Sequence, residues 1–232
     1  MILARRLFLV LTLLAALPAA AREPPYITAA DLDIVSILPP PVATGSIADR
    51  EQLAVVLRAQ RTASPERIEQ ARRDVQESVD AMFAPVFGKA LAASALPAAT
   101  RLFVRLEETG GAVVGPAKKA FKRVRPYLSD PEIKALVRPS MSGSYPSGHT
   151  THITASAIIM GDIVPEKRAA IWERAHDYAW SRVIGGMHYP NDLDGGRLAG
   201  TAIAVAVRNR PQFKADFEAA RREFRQYLGL QL

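Results

Sequence analysis

The stretch that decides the fold is GSYPSGHTTHITASAIIMGDIV, residues Gly143 to Val164. It begins with a turn-forming run, and from Thr150 onward it is apolar on nearly all sides and rich in small side chains. A helix of that composition is typical of the middle of a helical bundle, where protein covers every side. The segment Leu198 to Val207 has the same character, so two central helices are predicted.

The chain before this stretch is also helical in pattern. Ser64-Pro65-Glu66 supplies an N-cap, a proline suited to the first helical position and an early acidic residue. Apolar side chains then recur at helical spacing, which predicts one helix that buries a single stripe. The positions of that stripe are Val75, Val79, Met82, Phe83, Val86 and Phe87.

Further helices are predicted on both sides of this one. A shorter helix is indicated around residues 53–57, and another around 102–106 that ends at Gly110-Gly111. The charged segment Phe213 to Leu230 is typical of a peripheral amphipathic helix. Alternation of apolar and polar residues, which would indicate strands, is sparse. We therefore predict an all-α fold, a single-domain helical bundle over residues 47–232.

The N-terminus has the pattern of a secretory signal. Arg5 and Arg6 precede the apolar run Leu7 to Leu17, and Ala19-Ala20-Ala21 offers a small-residue cleavage site. The alternative, a retained membrane helix, is disfavoured because the run is too short to cross a bilayer. We predict a signal peptide over residues 1–21 and an exported, periplasmic protein.

Residues 22–46 contain Pro24-Pro25 and Pro39-Pro40-Pro41, which predict an extended arm over the surface rather than a packed element.

Composition narrows the classes of function. The chain has no cysteine, which excludes disulfides, thiol catalysis and thiolate metal sites. The net charge of +7 suits an anionic ligand as well as it suits a soluble surface. No apolar run beyond the signal is long enough to span a membrane, so no stable membrane insertion is expected after cleavage. The arginines near the C-terminus, Arg221, Arg222 and Arg225, lack interleaved aromatic residues and are expected to form a solvated face, so no nucleic-acid partner is predicted.

The first cluster of residues that could bind a ligand or take part in catalysis runs from Lys118 to Pro126. Residues seven positions apart lie on one helix face, so Lys118 and Arg125 are predicted to point at the same anion. Pro126 disfavours helical geometry at Arg125 and is predicted to end the helix there. The cations between them are expected to be solvated: Lys119, Lys122 and Arg123.

The second cluster is the run that leads into the central helix. A helix N-terminus offers unpaired N–H groups and partial positive charge, so the backbone around Ser147, Gly148 and His149 suits phosphate oxygens. Gly148 has no Cβ to hold the anion away, and the Ser147 hydroxyl can donate. The alternative is an ordinary cap with a loop histidine.

The third cluster places His188 four residues before Asp192. Pro190 suits the first turn of a helix, so His188 is expected just before that helix and Asp192 just inside it. A carboxylate bound to one imidazole nitrogen fixes the tautomer and leaves the other nitrogen free to attack. Arg182 supplies a forked donor for phosphate oxygens. Taken alone, the pair could be a surface His-Asp contact.

Together the three clusters resemble a known signature, that of the type 2 phosphatidic acid phosphatase superfamily, which includes vanadium haloperoxidases and membrane lipid phosphatases. The matching motifs are Lys118-x6-Arg125-Pro126, Pro146-Ser147-Gly148-His149 and Ser181-Arg182-x5-His188-x3-Asp192. The Gly-Ser-Tyr run, the signal, the proline-rich arm and the chain length are most similar to the class A bacterial nonspecific acid phosphatases.

The resemblance implies a role for each residue. His188 would be the nucleophile, Asp192 would orient it, and His149 would protonate the leaving oxygen. The phosphate-binding residues would be Lys118, Arg125, Ser147, Gly148 and Arg182. With three cations in the electrostatic role, neither a metal ion nor a cofactor is expected. The remaining histidines, His152 and His176, are predicted to be packing or surface residues, and Glu107 is assigned to a solvated surface.

The resemblance further implies an acid phosphatase of broad specificity that acts through a phosphohistidine intermediate. Its substrates would be phosphate monoesters such as nucleotides, sugar phosphates and aryl phosphates, with transfer to alcohols as a side activity. A vanadate-dependent haloperoxidase, a lipid phosphatase and a noncatalytic periplasmic phosphate-binding protein are the alternatives. The noncatalytic alternative would not need His149 or His188. A homodimer and a bell-shaped pH dependence that falls on the alkaline side are also expected.

Overall fold

The computed structural model describes residues 23–88 and 91–232, so the predicted signal lies outside the described residues. The described part consists of helices and loops without a strand, which confirms the all-α prediction. Its α-helices, in chain order, are α1 Ile34–Ile37, α2 Ile47–Thr62, α3 Pro65–Arg73, α4 Val79–Phe87, α5 Pro97–Phe121, α6 Pro126–Ser129, α7 Gly148–Ile163, α8 Arg168–Ile184, α9 Pro190–Val207 and α10 Pro211–Leu228.

The helix α7 lies at the centre of the bundle. Nearly all of its side chains are buried, as its uniformly apolar composition predicts. It packs most extensively against α9 and also against α8 and α5. Because its N-terminal end carries the Gly148-His149 motif, the core of the bundle fixes where that motif lies.

Small residues on α9 let it approach α7 closely. A Cβ at Gly200 would lie 2.4 Å from the Thr151 carbonyl oxygen, and one at Gly196 would lie 2.7 Å from the Thr150 Cβ. A Cβ at Gly195 would lie 2.6 Å from the Tyr145 ring. These distances are shorter than any real contact, so the packing of α9 against α7 and against Tyr145, in the loop before α7, requires glycine at all three positions.

The predicted single helix from Pro65 to Phe87 is wrong, because α3 ends at Arg73 and α4 begins at Val79. The chain turns between them because Asp74 binds Arg174 of α8, with 2.7 Å between Oδ1 and Nη2. Both partners are buried. This long-range ion pair replaces the continuation of the helix, and it leaves residues 74–78 as a loop beside the site described below.

The prediction that Gly110-Gly111 ends a helix is also wrong, because α5 continues to Phe121. A glycine inside a helix costs about 1 kcal/mol relative to alanine, which is less than the burial of an apolar stripe contributes. That stripe continues past the glycines and includes Leu102, Phe103, Leu106, Val113 and Val114. The helix predicted around residues 53–57 is likewise longer than expected, because α2 covers Ile47–Thr62.

The proline-rich arm packs more closely than its sequence predicts. It forms the short helix α1, and its side chains Tyr26, Ile27, Ile34 and Leu38 are buried. The Tyr26 N–H donates to the Thr109 hydroxyl at 2.9 Å. The arm therefore contributes side chains to the core and is more than an extended segment lying over the surface.

The C-terminal helix α10 is amphipathic, as predicted, and packs on α5. The prediction that all three of its arginines are solvated is wrong for Arg225, which is buried and binds Glu166 at 2.8 Å. Within residues 23–88 and 91–232, the helices are all too short or too polar to cross a membrane.

Candidate active site

One cavity of about 560 Å³ lies at the N-terminal end of α7. It brings together six of the predicted site residues from distant segments: Lys118, Arg125, Gly148, His149, Arg182 and His188. Arg72 and Arg138 also line it, and its described lining residues include no Asp or Glu. The cavity is therefore positively charged and suited to an anion.

Lys118 and Arg125 reach the cavity from different elements. Helix α5 ends at Phe121 because Lys122 takes a left-handed conformation, with φ 50°, and donates its N–H to the Lys118 carbonyl. Arg125 follows in extended chain, before α6. The prediction that Lys118 and Arg125 share a helix is therefore wrong, although both side chains line the cavity.

The Lys118 ammonium group ties the end of α5 to the loop before α7. Its Nζ donates to the Pro146 carbonyl at 2.6 Å and to the Gly143 carbonyl at 3.0 Å. Burial, together with the nearby Arg125 guanidinium, lowers the pKa of Lys118 to about 7. Its charge is therefore sensitive to pH near neutrality and to a bound anion.

The N-terminus of α7 faces the cavity with its first turn. Ser147 is the N-cap, and its Oγ accepts from the Thr150 N–H at 3.3 Å. The next two N–H groups, of Gly148 and His149, belong to the turn whose donors lack partners within a helix. Around a Cβ built on Gly148, the nearest side-chain atom is Lys118 Cε at 3.9 Å. Backbone donors and the Lys118 cation thus lie side by side.

The contacts of His188 define its tautomer. Arg125 Nη1 lies 3.2 Å from His188 Nε2, and a guanidinium only donates, so Nε2 presents its lone pair. The hydrogen is then on Nδ1, which donates to Asp192 Oδ2 at 3.3 Å. Burial and the nearby cations Lys118, Arg125 and Arg182 lower the pKa of His188 well below its usual value. The imidazole is therefore neutral, with Nε2 available as a nucleophile.

Asp192 is fully buried and is held by a residue that the sequence analysis assigned to solvent. Arg123 Nη1 binds Asp192 Oδ1 at 2.8 Å, and its Nη2 lies 3.3 Å from Asp49 Oδ1. The guanidinium also stacks on the Tyr189 ring, 3.9 Å from its centroid. Burial raises the pKa of Asp192, and Arg123 opposes that shift. Arg123 therefore favours the ionised carboxylate, and the expectation that Arg123 is solvated is wrong.

Arg182 is buried, and its donor atoms give the clearest indication of an anion-binding site. Its Nε and Nη1 make no hydrogen bond to any part of the chain that the structure describes. Its own carbonyl accepts from the N–H groups of Met187 and His188, at 3.1 Å and 3.3 Å. A buried guanidinium with unpaired donors is costly, so the side chain is suited to a ligand rather than to the protein.

His149 lies beside two residues whose contribution the sequence analysis missed. Its Nε2 lies 3.3 Å from the Val75 carbonyl and 3.8 Å from Glu77 Oε2. On the other side of Glu77, His152 places Nδ1 3.5 Å from Oε1. His152 is buried, in agreement with a packing position, and its charged neighbour adds a polar contact to that packing.

One signal could have located Arg123. In extended chain, alternate side chains point the same way, so Arg123 and Arg125 share a side once the helix ends at Phe121. The structure shows this alternation, because Val124 is 46% exposed while both arginines are buried. Nothing in the sequence points to Glu77, because its partners come from a different part of the chain.

Among the residues that the structure describes, no group of three or more His, Cys, Asp and Glu is arranged to hold a metal ion.

Comparisons with known proteins agree with this geometry. Residues 99–216, which include the predicted catalytic and phosphate-binding residues, match the model of the PAP2 superfamily. The chain is 29% identical over 201 residues to a non-specific acid phosphatase of Providencia stuartii, covering 83% of this chain and 81% of that protein.

Two solved structures share the fold. A transmembrane PAP2-type phosphatidylglycerolphosphate phosphatase from Bacillus subtilis superposes with a TM-score of 0.52 at 19% identity, covering 77% of this chain and 90% of that one. A bacterial vanadium-dependent iodoperoxidase gives 0.54 at 18% identity, covering 74% and 51% of the two chains. On the family match and the helical architecture, the chain belongs to the PAP2 superfamily.

Proposed function

We propose that this protein is an acid phosphatase that hydrolyses phosphate monoesters through a phosphohistidine intermediate on His188. The observation that carries the proposal is the buried guanidinium of Arg182, with donors unpaired in the described chain, in the same cavity as His188, whose Nε2 presents its lone pair. Such a pair binds a phosphoryl group and attacks it. The similarity to the non-specific acid phosphatase of Providencia stuartii supports the same activity.

The geometry supports a reaction in two steps, phosphorylation of His188 and hydrolysis of the phosphohistidine. Lys118, Arg125, Arg182 and the first turn of α7 bind the phosphoryl oxygens, and Arg125 exchanges its contact with Nε2 for one with the substrate. Nε2 then forms a bond to phosphorus as the ester P–O bond breaks, and His149 gives its proton to the departing oxygen. In the second step water attacks phosphorus, His149 takes its proton, and orthophosphate leaves as the P–N bond breaks.

The similarity to the non-specific acid phosphatase of Providencia stuartii leads us to propose broad specificity over nucleotides, sugar phosphates and aryl phosphates. Transfer to an acceptor alcohol follows when the alcohol replaces water in the second step. Export to the periplasm, metal independence and assembly as a homodimer belong to the same proposal.

A rapid acid quench with a phosphate-labelled ester tests the mechanism. The purified protein, in the presence of a chelator, is expected to trap label on histidine, and His188→Ala is expected to trap none. His176→Ala removes an exposed histidine and serves as the matched control. Label on histidine in His188→Ala would refute the assignment. Halide oxidation that requires vanadate and peroxide, without ester turnover, would favour the haloperoxidase instead.

A further inference from the structure

Glu77 has no part in the mechanism above, yet it lies against the residue that must donate the proton. We propose that Glu77 is a positioning residue for His149, which stabilises the protonated imidazole, and that His152 fixes the Glu77 carboxylate from its other side. This inference rests on the proposed function, because His149 needs to be protonated only if it donates a proton to the leaving group.

The carboxylate bridges two imidazoles of one helix face. His149 and His152 lie three residues apart on α7, which places their side chains next to each other. Glu77 Oε2 is 3.8 Å from His149 Nε2, and Oε1 is 3.5 Å from His152 Nδ1. The His152 side chain is only 3% exposed, so it holds its position by packing. Glu77 itself comes from the loop between α3 and α4.

The contacts of His149 show which of its nitrogens exchanges a proton. The Val75 carbonyl oxygen, 3.3 Å from Nε2, can only accept, so Nε2 carries a hydrogen in both protonation states. Nδ1 is therefore the nitrogen that gains and loses the proton. A carboxylate on the Nε2 side stabilises the doubly protonated ring without competing for the Nδ1 proton that the leaving oxygen receives.

The electrostatic surroundings of His149 otherwise oppose its protonation. Burial, followed by the Arg182 guanidinium, lowers its pKa to about 4, whereas Glu77 and the Val75 carbonyl act in the opposite direction. Burial alone would raise the pKa of Glu77, but the contact with His152 and the charges of His149, His152 and Arg182 hold it at about 2. Glu77 is therefore ionised wherever the enzyme works.

Other charged and titratable groups face His149 from every neighbouring element. These are Arg72 of α3, Glu107, Glu108 and Lys118 of α5, His152 of α7, Tyr178 and Arg182 of α8, and Arg138 and His188 from loops. Glu77, from the loop between α3 and α4, places its carboxylate 3.8 Å from His149 Nε2.

The position of Glu77 also fits the side from which the leaving group departs. A second cavity of about 400 Å³ is lined by Glu77, His149 and His152, whereas His188 is among the lining residues of the first cavity and not of the second. In an in-line displacement the leaving group departs opposite the nucleophile. The leaving oxygen therefore moves toward the wall that Glu77 and His149 share.

Esters whose leaving groups differ in acidity distinguish a role of Glu77 in proton donation by His149 from a purely structural role. An alkyl phosphate needs a proton on its leaving oxygen, whereas p-nitrophenolate leaves without one. In Glu77→Gln, the rate of phosphoenzyme formation from the alkyl ester is expected to fall about tenfold or more, since general acid catalysis contributes about a hundredfold or more. The p-nitrophenyl ester is expected to change by less than about threefold, because it makes little use of that acid.

Three further variants keep the test decisive. Glu77→Asp keeps the charge and is expected to restore part of the alkyl rate. His152→Asn is expected to give a smaller loss with the same dependence on the leaving group, and it carries the test if Glu77→Gln does not fold. Glu132→Gln removes an exposed carboxylate paired with Arg61 and is expected to leave both rates unchanged. Retained stabilisation by orthophosphate in thermal unfolding shows that each variant keeps an intact phosphate site.

The outcomes are distinct. Selective loss with the alkyl ester, together with an alkaline limb of its rate profile shifted to lower pH, supports the role of Glu77. An equal loss with both esters, or no loss with either, overturns it while the proposed function stands. A wild-type protein that turns over neither ester overturns the proposed function and this inference with it.

Discussion

Among single residues, Arg123 is the cation that favours the ionised form of Asp192, the group that orients the nucleophile. Replacing it with alanine leaves the buried Asp192 without this cationic partner, and breaking a buried ion pair costs about 3–5 kcal/mol of stability. Protonation of Asp192 would also remove the acceptor of the His188 Nδ1 hydrogen. We expect a lower midpoint in urea unfolding together with a fall in kcat. Lys119→Ala changes an exposed cation of the same segment and should alter stability by less than about 0.5 kcal/mol. Equal behaviour of the two variants would contradict the role of Arg123.

Deprotonation of Lys118 is expected to lower the activity on the alkaline side of the pH profile. Its pKa is lowered to about 7, so the free enzyme loses this cation as the pH rises through neutrality. Phosphate binding then weakens, and kcat/KM is expected to fall on the alkaline side. The low pKa of His149, about 4, acts in the same direction, because less of the acid form is present at higher pH.

The variant Lys118→Arg separates these two effects. A guanidinium stays charged across the whole range, so its alkaline limb should move to higher pH while the limb due to His149 remains. Initial rates of ester hydrolysis from about pH 2, below the pKa of His149, to about pH 10, above that of Lys118, measure both limbs. A wild-type rate still rising near pH 9, about two units above that reference value, would exclude this account.

At the element scale, the contact between α7 and α9 depends on glycine. In Gly200→Ala the new Cβ would lie 2.4 Å from the Thr151 carbonyl oxygen, so the two helices must move apart. Overpacking of this kind costs about 1–3 kcal/mol, and a lower thermal midpoint is expected. Because α7 carries His149 and α9 carries Asp192, activity should fall as well.

A matched substitution on α5 tests the same change without the clash. Around Gly111, inside that helix, no heavy atom lies within 4 Å of the added Cβ. Gly111→Ala is therefore expected to stabilise the fold by about 0.5–1 kcal/mol through helix propensity. Differential scanning calorimetry of both variants gives the comparison, and a stabilised Gly200→Ala would argue against close packing as the reason for the glycine.

At the scale of the whole molecule, the N-terminal arm fastens α5 to α10. Tyr26 donates from its hydroxyl to Asp216 of α10 at 2.7 Å, and Arg105 of α5 lies over its ring. Further along the arm, the Pro39 carbonyl accepts from the Tyr145 hydroxyl at 2.7 Å. The arm therefore connects the outer helices to the loop that precedes α7.

Tyr26→Ala measures how much the arm contributes to stability. The loss of a buried aromatic ring costs about 3–5 kcal/mol, so the midpoint of denaturant unfolding should fall clearly. Ile37→Ala, at a position 51% exposed on the same arm, should change it little. An equal effect of the two substitutions would mean that the arm lies on the surface after all.

The helical class, the central position of α7 and the family could be predicted from the sequence, because each depends on local composition or on short motifs. Two motifs can be recognised without tertiary contacts: Ser147-Gly148-His149 at a helix N-terminus, and the spacing of His188 and Asp192. Export and pairing remain predictions, since the signal lies outside the described residues and the structure contains one chain.

The folded chain was needed to learn which charges are buried and where several helices end. The α3–α4 break depends on Arg174, the charged contact of Asp192 on Arg123, and the environment of His149 on Glu77. Each is a contact between residues far apart in the chain. Local sequence carries propensity over a few residues, whereas burial of a charge is settled by which distant partner reaches it.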